Sequence, residues 1–154
     1  MILFGIVTGC MLCGLALTLL LNAFTFPRLK HTNTQPTTSV MVSILIPARN
    51  EATVIGRTIQ MIRQQTFTHF ELLILDDQST DETATIVRQA AANDERIKII
   101  SGKALPSDWS GKNWACHQLS ETSNGKFIIF TDADVQWQPD ALSTLLSYQT
   151  KSSA

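Results

Sequence analysis

The first 27 of the 154 residues lack any charged side chain. A helix needs about 20 apolar residues to cross the hydrocarbon core of a bilayer, and this stretch supplies them. It also lacks the basic start, the apolar core of only about 7–15 residues and the small-residue cleavage site of a secretory signal peptide. We therefore predict a retained transmembrane helix over residues 1–27. Arg28, Lys30 and His31 follow at once, and the positive-inside tendency places the rest of the chain in the cytoplasm.

The sequence also lacks an excess of basic residues. Its formal net charge is -1 and no basic stripe is present, which argues against a nucleic-acid-binding protein. No G-x-G-x-x-G follows an apolar run, which argues against a dinucleotide-binding domain. Cysteine is rare, with three in the chain. Cys10 and Cys13 lie inside the apolar stretch without partner histidines and Cys116 stands alone, so neither a zinc site nor a disulfide framework is indicated.

Residues 28–41 form a polar, threonine-rich stretch with one proline, which predicts a linker. After it, short apolar runs alternate with amphipathic helical patterns. The expected strands are 42–47, 71–76, 96–101 and 127–131, and the expected helices are about 51–65, 79–92 and 112–123, with a last one opened by Pro139. This alternation is typical of βαβ units. We predict an α/β domain with a mainly parallel sheet over residues 42–154.

Several local signals refine this prediction. Ser79 and Glu82 have capping-box spacing, so a helix is expected to start there. Asn124-Gly125 is expected to form the C-cap of the helix before it. The run FIIF at 127–130 predicts a buried strand. Asp81 suits the first turn of a helix, and we assign it to structure.

Charged side chains follow the expected strands at their carboxyl ends, where parallel sheets bind ligands. Asp132 and Asp134, separated by one alanine, can converge on one Mg²⁺ or Mn²⁺, which completes its ligand shell with water and substrate phosphates. Asp77 can accept hydrogen bonds from a nucleobase imide or a ribose hydroxyl. The pattern predicts a site for a nucleotide diphosphate and a divalent metal.

Four motifs then match a known family. PARNE follows the first strand, DDQSTDET follows the second, and GKNWA and FTDAD flank the fourth. In this order they resemble the family 2 glycosyltransferases over about residues 42–146. The resemblance implies a Rossmann-like, GT-A nucleotide-binding half with a sugar-nucleotide donor. The stretch DWSGKNWACHQL is most similar to members that work beside carotenoid or hopanoid biosynthesis.

The resemblance also implies a role for each matching residue. The nucleotide-binding set would be Pro47, Arg49, Glu51, Asp77, Lys112 and Asp132. Asp77 would read the base, normally uracil, and Lys112 would face the nucleotide or its diphosphate. Asp134 would ligate the metal directly, with Asp132 nearer the ribose and a metal-bound water; these two aspartates are the expected catalytic residues. From the residues alone, Arg49 could instead only pair with a nearby acid, and Lys112 could be a solvated lysine at a helix start.

The implied protein is a membrane-tethered transferase that moves a sugar from a UDP-sugar to a lipid or glycan acceptor with Mg²⁺ or Mn²⁺. In the family, the acidic general base comes from the C-terminal half, and nothing after Asp134 supplies it, since capping explains Asp140. We therefore expect a partial copy that is truncated at its C-terminus. The alternative is a non-catalytic sugar-nucleotide-binding pseudoenzyme or structural membrane domain. A receiver-type signalling domain is disfavoured because its acidic pair would follow the first strand. Trp109 and Trp114 are expected to pack rather than to bind sugar.

Overall fold

The computed structural model describes residues 1–25 and 40–152. The N-terminal unit contains one helix, α1 (Ile2–Thr25). Its 24 residues, at about 1.5 Å of rise each, span roughly 36 Å, which exceeds the hydrocarbon core of a bilayer of about 30 Å. The stretch Phe4–Thr25 has a mean hydropathy of 2.2 and is unburied. By length and composition α1 could cross a membrane.

Three threonine hydroxyls of α1 form hydrogen bonds within the helix. The hydroxyls of Thr8, Thr18 and Thr25 each donate to the carbonyl of the residue four positions earlier. Such internal hydrogen bonds suit an apolar medium, which offers no water as a partner. Most of the predicted linker, and the basic residues on which the predicted orientation depends, lie outside the described residues. The linker and the cytoplasmic orientation therefore stay predictions.

The second unit is built on four parallel strands. They are β1 (Val42–Ala48), β2 (Phe70–Asp76), β3 (Ile97–Ser101) and β4 (Phe127–Phe130). Their order in the sheet is β3-β2-β1-β4, and each neighbouring pair is parallel. The predicted parallel α/β sheet is confirmed. The helices are α2 (Ile55–Arg63), α3 (Thr83–Ala91), α4 (Gly111–Thr122) and α5 (Ala141–Ser152).

Alternate residues of the central strands enter two separate apolar layers, because successive side chains of a strand point to opposite faces. On one face α4 packs its Ala115 and Leu119 against Leu45, Leu73 and Leu75. The other face is larger and holds the buried sides of the remaining helices. That larger core includes Ile44, Ile46, Leu72, Ile74, Ile55, Ile59, Ile62, Val87, Leu142 and Leu146. The two layers fix the sheet and leave its carboxyl edge free for polar groups.

The prediction that FIIF is a buried strand was wrong. Ile128 and Phe130 are 44% and 49% exposed, and Phe127 and Ile129 are half-buried. Within the described residues β4 pairs only with β1, and the apolar layer around Leu45 does not extend to it. An apolar run alone does not tell an edge strand from a central one.

Two predicted helix signals were also wrong. α3 starts at Thr83, and no side chain caps it at the expected position, because the hydroxyl of Ser79 accepts a hydrogen bond from Asn50 N instead. α4 ends at Thr122, and Ser123 after it is extended. Gly125 lacks the positive φ that a C-cap glycine has. The first helix of the domain starts at Ile55 rather than near residue 51.

Gly125 is needed for a different reason, which is a close approach of two backbones. A Cβ at this position would lie 2.4 Å from Ser43 N. The amide of Gly125 donates to Ser43 Oγ at 2.8 Å, and Ser43 Oγ donates to the buried carboxylate of Glu71 at 2.7 Å. Asn124 N also donates to Glu71, at 2.6 Å. This cluster ties the start of β4 to β1 and β2.

Candidate nucleotide and metal site

A cleft of about 470 Å³ lies at the carboxyl edge of the sheet. This volume is within the range of small-ligand sites, about 300–1,000 Å³. The lining residues are Pro47, Ala48, Arg49, Glu51, Asp77, Gly111, Lys112, Ala115, Asp132, Ala133 and Asp134. All of the residues predicted from the sequence to bind nucleotide or metal are among them. The structure therefore brings the predicted residues together, while their individual roles stay predictions.

The loops after β1 and β2 hold each other in place. Asn50 and Gln78 have φ values of 57° and 58°, a left-handed conformation that costs most non-glycine residues about 1–2 kcal/mol and asparagine less. Asn50 Oδ1 accepts from Thr80 N at 2.8 Å, and Asn50 N donates to Ser79 Oγ at 3.0 Å. Asp77 N donates to Ala48 O at 2.8 Å. These bonds keep the two loops, and with them the cleft wall, in one arrangement.

A second set of bonds joins the same loops farther from the sheet. Glu51 N donates to Thr83 Oγ1 at 2.8 Å, and Ala52 N donates to Asp81 Oδ2 at 3.1 Å. Asp81 also accepts from the amide and hydroxyl of Thr83. The hydrogen bond from the Thr83 hydroxyl, with those from backbone amides, lowers the pKa of Asp81. Asp81 lies outside the cleft lining, in keeping with a structural role.

Asp77 lies between an arginine and the start of α4. Arg49 Nη1 is 3.8 Å from Asp77 Oδ2, and the two side chains are 64% and 20% exposed. A Cβ on Gly111 would come within 3.8 Å of the same carboxylate oxygen. Arg49 therefore does pair with an acid, as the alternative interpretation had it, but it does so on the wall of the cleft. The small residues Gly111 and Ala115, one helical turn apart, keep this wall of α4 open.

Lys112 closes the other side of the cleft. Its Nζ donates to Asp132 Oδ1 at 2.7 Å, although both side chains remain largely exposed. The hydrogen bond with Asp132, together with the charges of Asp132 and Asp134, raises the pKa of Lys112. Lys112 is thus paired with Asp132 at the cleft, and it is also a largely solvated lysine at the start of α4.

The aspartate pair follows directly on β4. Thr131 N donates to Leu45 O at 3.0 Å, which extends the pairing of β4 with β1 by one residue. Asp132 and Asp134 are exposed, whereas Ala133 between them is buried at 3% exposure. Ala133 belongs to the larger apolar core. The alternation turns both carboxylates away from the core and towards the cleft.

The donor set fits a hard divalent cation. The charged lining residues are four acids and two bases, with a formal charge of -2: Glu51, Asp77, Asp132, Asp134, Arg49 and Lys112. In residues 1–25 and 40–152, no three His, Cys, Asp or Glu side chains converge as a complete metal cage. Two neighbouring carboxylates match Mg²⁺ or Mn²⁺, which keeps several waters and takes phosphate oxygens as further ligands.

The two tryptophans contact each other outside the cleft lining. The ring centroids of Trp109 and Trp114 are 5.3 Å apart, and His117 stacks on Trp109 at 5.0 Å. Trp114 Nε1 donates to Lys103 O at 3.3 Å. The predicted packing role agrees with these contacts.

Comparison with known proteins identifies the family. The sequence model described as "Glycosyl transferase family 2" matches residues 43–154. This chain belongs to glycosyltransferase family 2. It is 32% identical over 111 residues to the UDP-Glc:alpha-D-GlcNAc-diphosphoundecaprenol beta-1,3-glucosyltransferase WfgD of Escherichia coli, covering 72% of this chain. It is 36% identical over 108 residues to the 4,4'-diaponeurosporenoate glycosyltransferase of Staphylococcus aureus (strain USA300), covering 69% of this chain.

The fold of this family 2 chain is also that of solved glycosyltransferases. The mannosyltransferase PcManGT from Pyrobaculum calidifontis, solved with GDP-Man and Mn²⁺, superimposes with a TM-score of 0.63 at 25% identity. The match covers 77% of this chain and 35% of that one. The predicted Rossmann-like fold of the GT-A type is confirmed. The chain spans 42% of the E. coli relative and 27% of the S. aureus relative.

Some residues of the site were not predicted from the sequence. Asn50 and Thr83 join the two loops, and Thr58 contacts the backbone of Ala133. Asn50 had a local signal, because asparagine is enriched at positive φ. Thr58 had none, since its partner is 75 residues away in the sequence.

Proposed function

We propose that this chain is the donor-binding part of a membrane-tethered family 2 glycosyltransferase. It binds a UDP-sugar with Mg²⁺ or Mn²⁺ for transfer of the sugar to a lipid or glycan acceptor. The observation that carries this proposal is the meeting of Asp77, Lys112, Asp132 and Asp134 on one cleft at the carboxyl ends of parallel strands. The WfgD relative has UDP-Glc and a diphosphoundecaprenol in its name, and the PcManGT structure contains Mn²⁺.

The proposed roles follow from the positions of the groups. Asp77 accepts hydrogen bonds from the base at one end of the cleft. Asp134 would be the direct ligand of the metal, and Asp132 would lie nearer the ribose and the waters of that metal. A bound divalent cation supplies Lewis-acid stabilisation of the leaving diphosphate. Lys112 leaves Asp132 and donates to the diphosphate as its negative charge grows.

In the transfer step, an acceptor hydroxyl oxygen forms a bond to the anomeric carbon. The bond from that carbon to the diphosphate oxygen breaks, and the nucleoside diphosphate keeps the electron pair. A general base takes the hydroxyl proton, and we assign that base to a part of the enzyme beyond this chain. We place the second unit on the cytoplasmic side of the membrane that α1 spans.

Because the side chains that line the cleft carry a net negative charge, the proposed binding of UDP should depend on a metal ion. An anionic diphosphate would enter lining side chains whose formal charge is already -2, which is unfavourable in a partly enclosed site. A divalent cation offsets that charge and adds direct bonds to phosphate oxygens. The metal and UDP should therefore each increase the affinity of the other by the same factor.

The test is calorimetric titration of the full chain in detergent micelles with UDP, with Mn²⁺ or with EDTA. We expect Mn²⁺ to increase UDP affinity at least tenfold in the wild type, on the order of 1.4 kcal/mol. Asp134→Asn should abolish that increase, whereas Asp77→Asn should weaken UDP binding and leave the metal dependence. Asp108→Asn, which changes an exposed aspartate outside the cleft, is the matched control. Equal UDP affinity of the wild type with Mn²⁺ and with EDTA would contradict the proposal.

A further inference from the structure

Thr58 contacts the backbone of Ala133, the residue between Asp132 and Asp134. It lies on α2 and is 3% exposed. Its Oγ1 donates to the carbonyl of Ala133 at 2.6 Å, and Val54 O is a more distant acceptor at 3.4 Å. A hydroxyl has one proton to donate, so the shorter bond to Ala133 is the main one. The contact joins a buried helix side chain to the peptide between the two cleft aspartates.

The orientation of that peptide matters for both carboxylates. Asp132 and Asp134 reach the same cleft only because Ala133 between them turns into the core. A rotation of the peptide that follows Ala133 would redirect Asp134 with respect to Asp132. The Thr58 hydroxyl donates to the carbonyl of that same peptide group, and in a buried setting an unpaired carbonyl is unfavourable.

Few other bonds hold this segment in the described part of the chain. It lies after β4 and before α5, outside regular secondary structure. Val135 N reaches Asp132 O only at 3.5 Å. The next anchor is Gln65, whose amide donates to Gln138 O at 2.7 Å, four residues past Asp134. Between the end of β4 and Gln138, two described side chains donate to this backbone: Thr58 to Ala133 O at 2.6 Å, and Thr131 to Asp132 O at 3.4 Å.

We propose that Thr58 is a positioning residue that fixes the geometry of Asp132 and Asp134 for metal binding. The inference rests on the proposed function, because it gives the pair the role of holding a divalent cation. Thr58 touches neither substrate nor metal. It acts through the carbonyl of Ala133.

The comparison of Thr58→Ser with Thr58→Ala isolates the hydroxyl, because serine and alanine both lack the threonine methyl group. Ser43→Ala is the matched control. It removes another buried hydroxyl, 0% exposed, whose hydrogen bonds lie at the opposite end of the strands. The variants are compared as full chains in detergent, with urea unfolding to record how far each is destabilised.

Two measurements then test the inference. In calorimetry with UDP present, Thr58→Ala should weaken Mn²⁺ binding at least fivefold relative to Thr58→Ser, while UDP binding in EDTA changes less than twofold. Ser43→Ala should leave the Mn²⁺ affinity within twofold of the wild type. Without metal or nucleotide, hydrogen exchange of the peptide covering 131–137 should be at least fivefold faster in Thr58→Ala than in Thr58→Ser.

The outcomes separate the two proposals. If the wild type binds UDP without metal dependence, the proposed function fails, and hydrogen exchange still decides whether Thr58 holds the segment. If Thr58→Ala and Thr58→Ser have equal Mn²⁺ affinity and equal exchange, the inference is overturned. It is also overturned if Ser43→Ala, at a similar loss of stability, weakens Mn²⁺ binding as much as Thr58→Ala. If Thr58→Ala does not fold, Thr58→Val replaces it in the comparison, because valine fills the site without a donor.

Discussion

Gly125→Ala should strongly destabilise the α/β unit. The added Cβ would lie 2.4 Å from Ser43 N and 2.6 Å from Ser43 Oγ, about 1 Å inside normal contact. Ser43 N is a backbone atom, as is Val42 C at 2.8 Å, so the backbones must separate. Overpacking of this kind costs about 1–3 kcal/mol. Loss of the bond from Gly125 N to Ser43 Oγ, 2.8 Å long, adds about 1 kcal/mol. The expected loss is about 2–4 kcal/mol.

The assay is urea unfolding of the full chain in detergent, followed by the fluorescence of its three tryptophans, of which Trp137 is 9% exposed. With a slope of about 2 kcal/mol per molar urea, the midpoint should fall by about 1–2 M. Gly56→Ala is the matched control, because its Cβ would meet Ile86 Cγ2 at an ordinary 3.4 Å. In helix α2 this substitution should be neutral or stabilising by up to about 1 kcal/mol.

A midpoint of Gly125→Ala equal to that of the wild type would refute the close approach of the two backbones. A loss of stability in Gly56→Ala as large as that in Gly125→Ala would also refute the reasoning. In that case alanine would be harmful for a reason other than the contact with Ser43.

Two further predictions concern charge and backbone strain. Burial by itself would raise the pKa of Glu71, but hydrogen bonds from Ser43 and Asn124 and the charge of Lys98 outweigh it, so the pKa falls below its ordinary 4.5. The stabilisation is therefore present above about pH 4.5 and is lost as pH falls through the lowered pKa. Urea unfolding should show Glu71→Gln less stable than the wild type at pH 7 by about 1–3 kcal/mol, with a smaller loss in acid. A difference in stability between the two proteins that does not change with pH would contradict this. Asn50→Ala should lower stability by about 1–2 kcal/mol because of its φ of 57°, whereas Asn50→Gly, which removes the same side-chain bonds but has no Cβ, should lose less in the same assay.

The fold was largely predictable because strand signals are local. Apolar runs bounded by turn residues placed the start of β1 and the end of β2 correctly, at Val42 and Asp76. The site residues could be predicted as a group for a related reason. The carboxyl ends of parallel neighbouring strands lie at one edge of a sheet, so residues that follow separate strands meet there. No long-range contact had to be known for that inference.

The features that were not predicted correctly depend on contacts between distant parts of the chain. The predicted start of α3 was wrong because Ser79 bonds to Asn50 in another loop, 29 residues away. The prediction that β4 is buried was wrong because the position of a strand in the sheet, rather than its composition, decides its exposure. Glu71, 2% exposed and bonded to Asn124, could equally have been read as an exposed residue at the start of a strand.

Different groups of residues provide the stability of the cleft and its chemistry. Its charged side chains are mostly exposed, and surface ion pairs such as Lys112–Asp132 contribute little to folding. The backbones that carry them are instead held by buried groups behind the cleft, namely the Thr83 and Thr58 hydroxyls and the apolar side chain of Ala133. Lys112 can therefore exchange Asp132 for another anion without loss of the fold. The proposed binding and release of a diphosphate would require such an exchange.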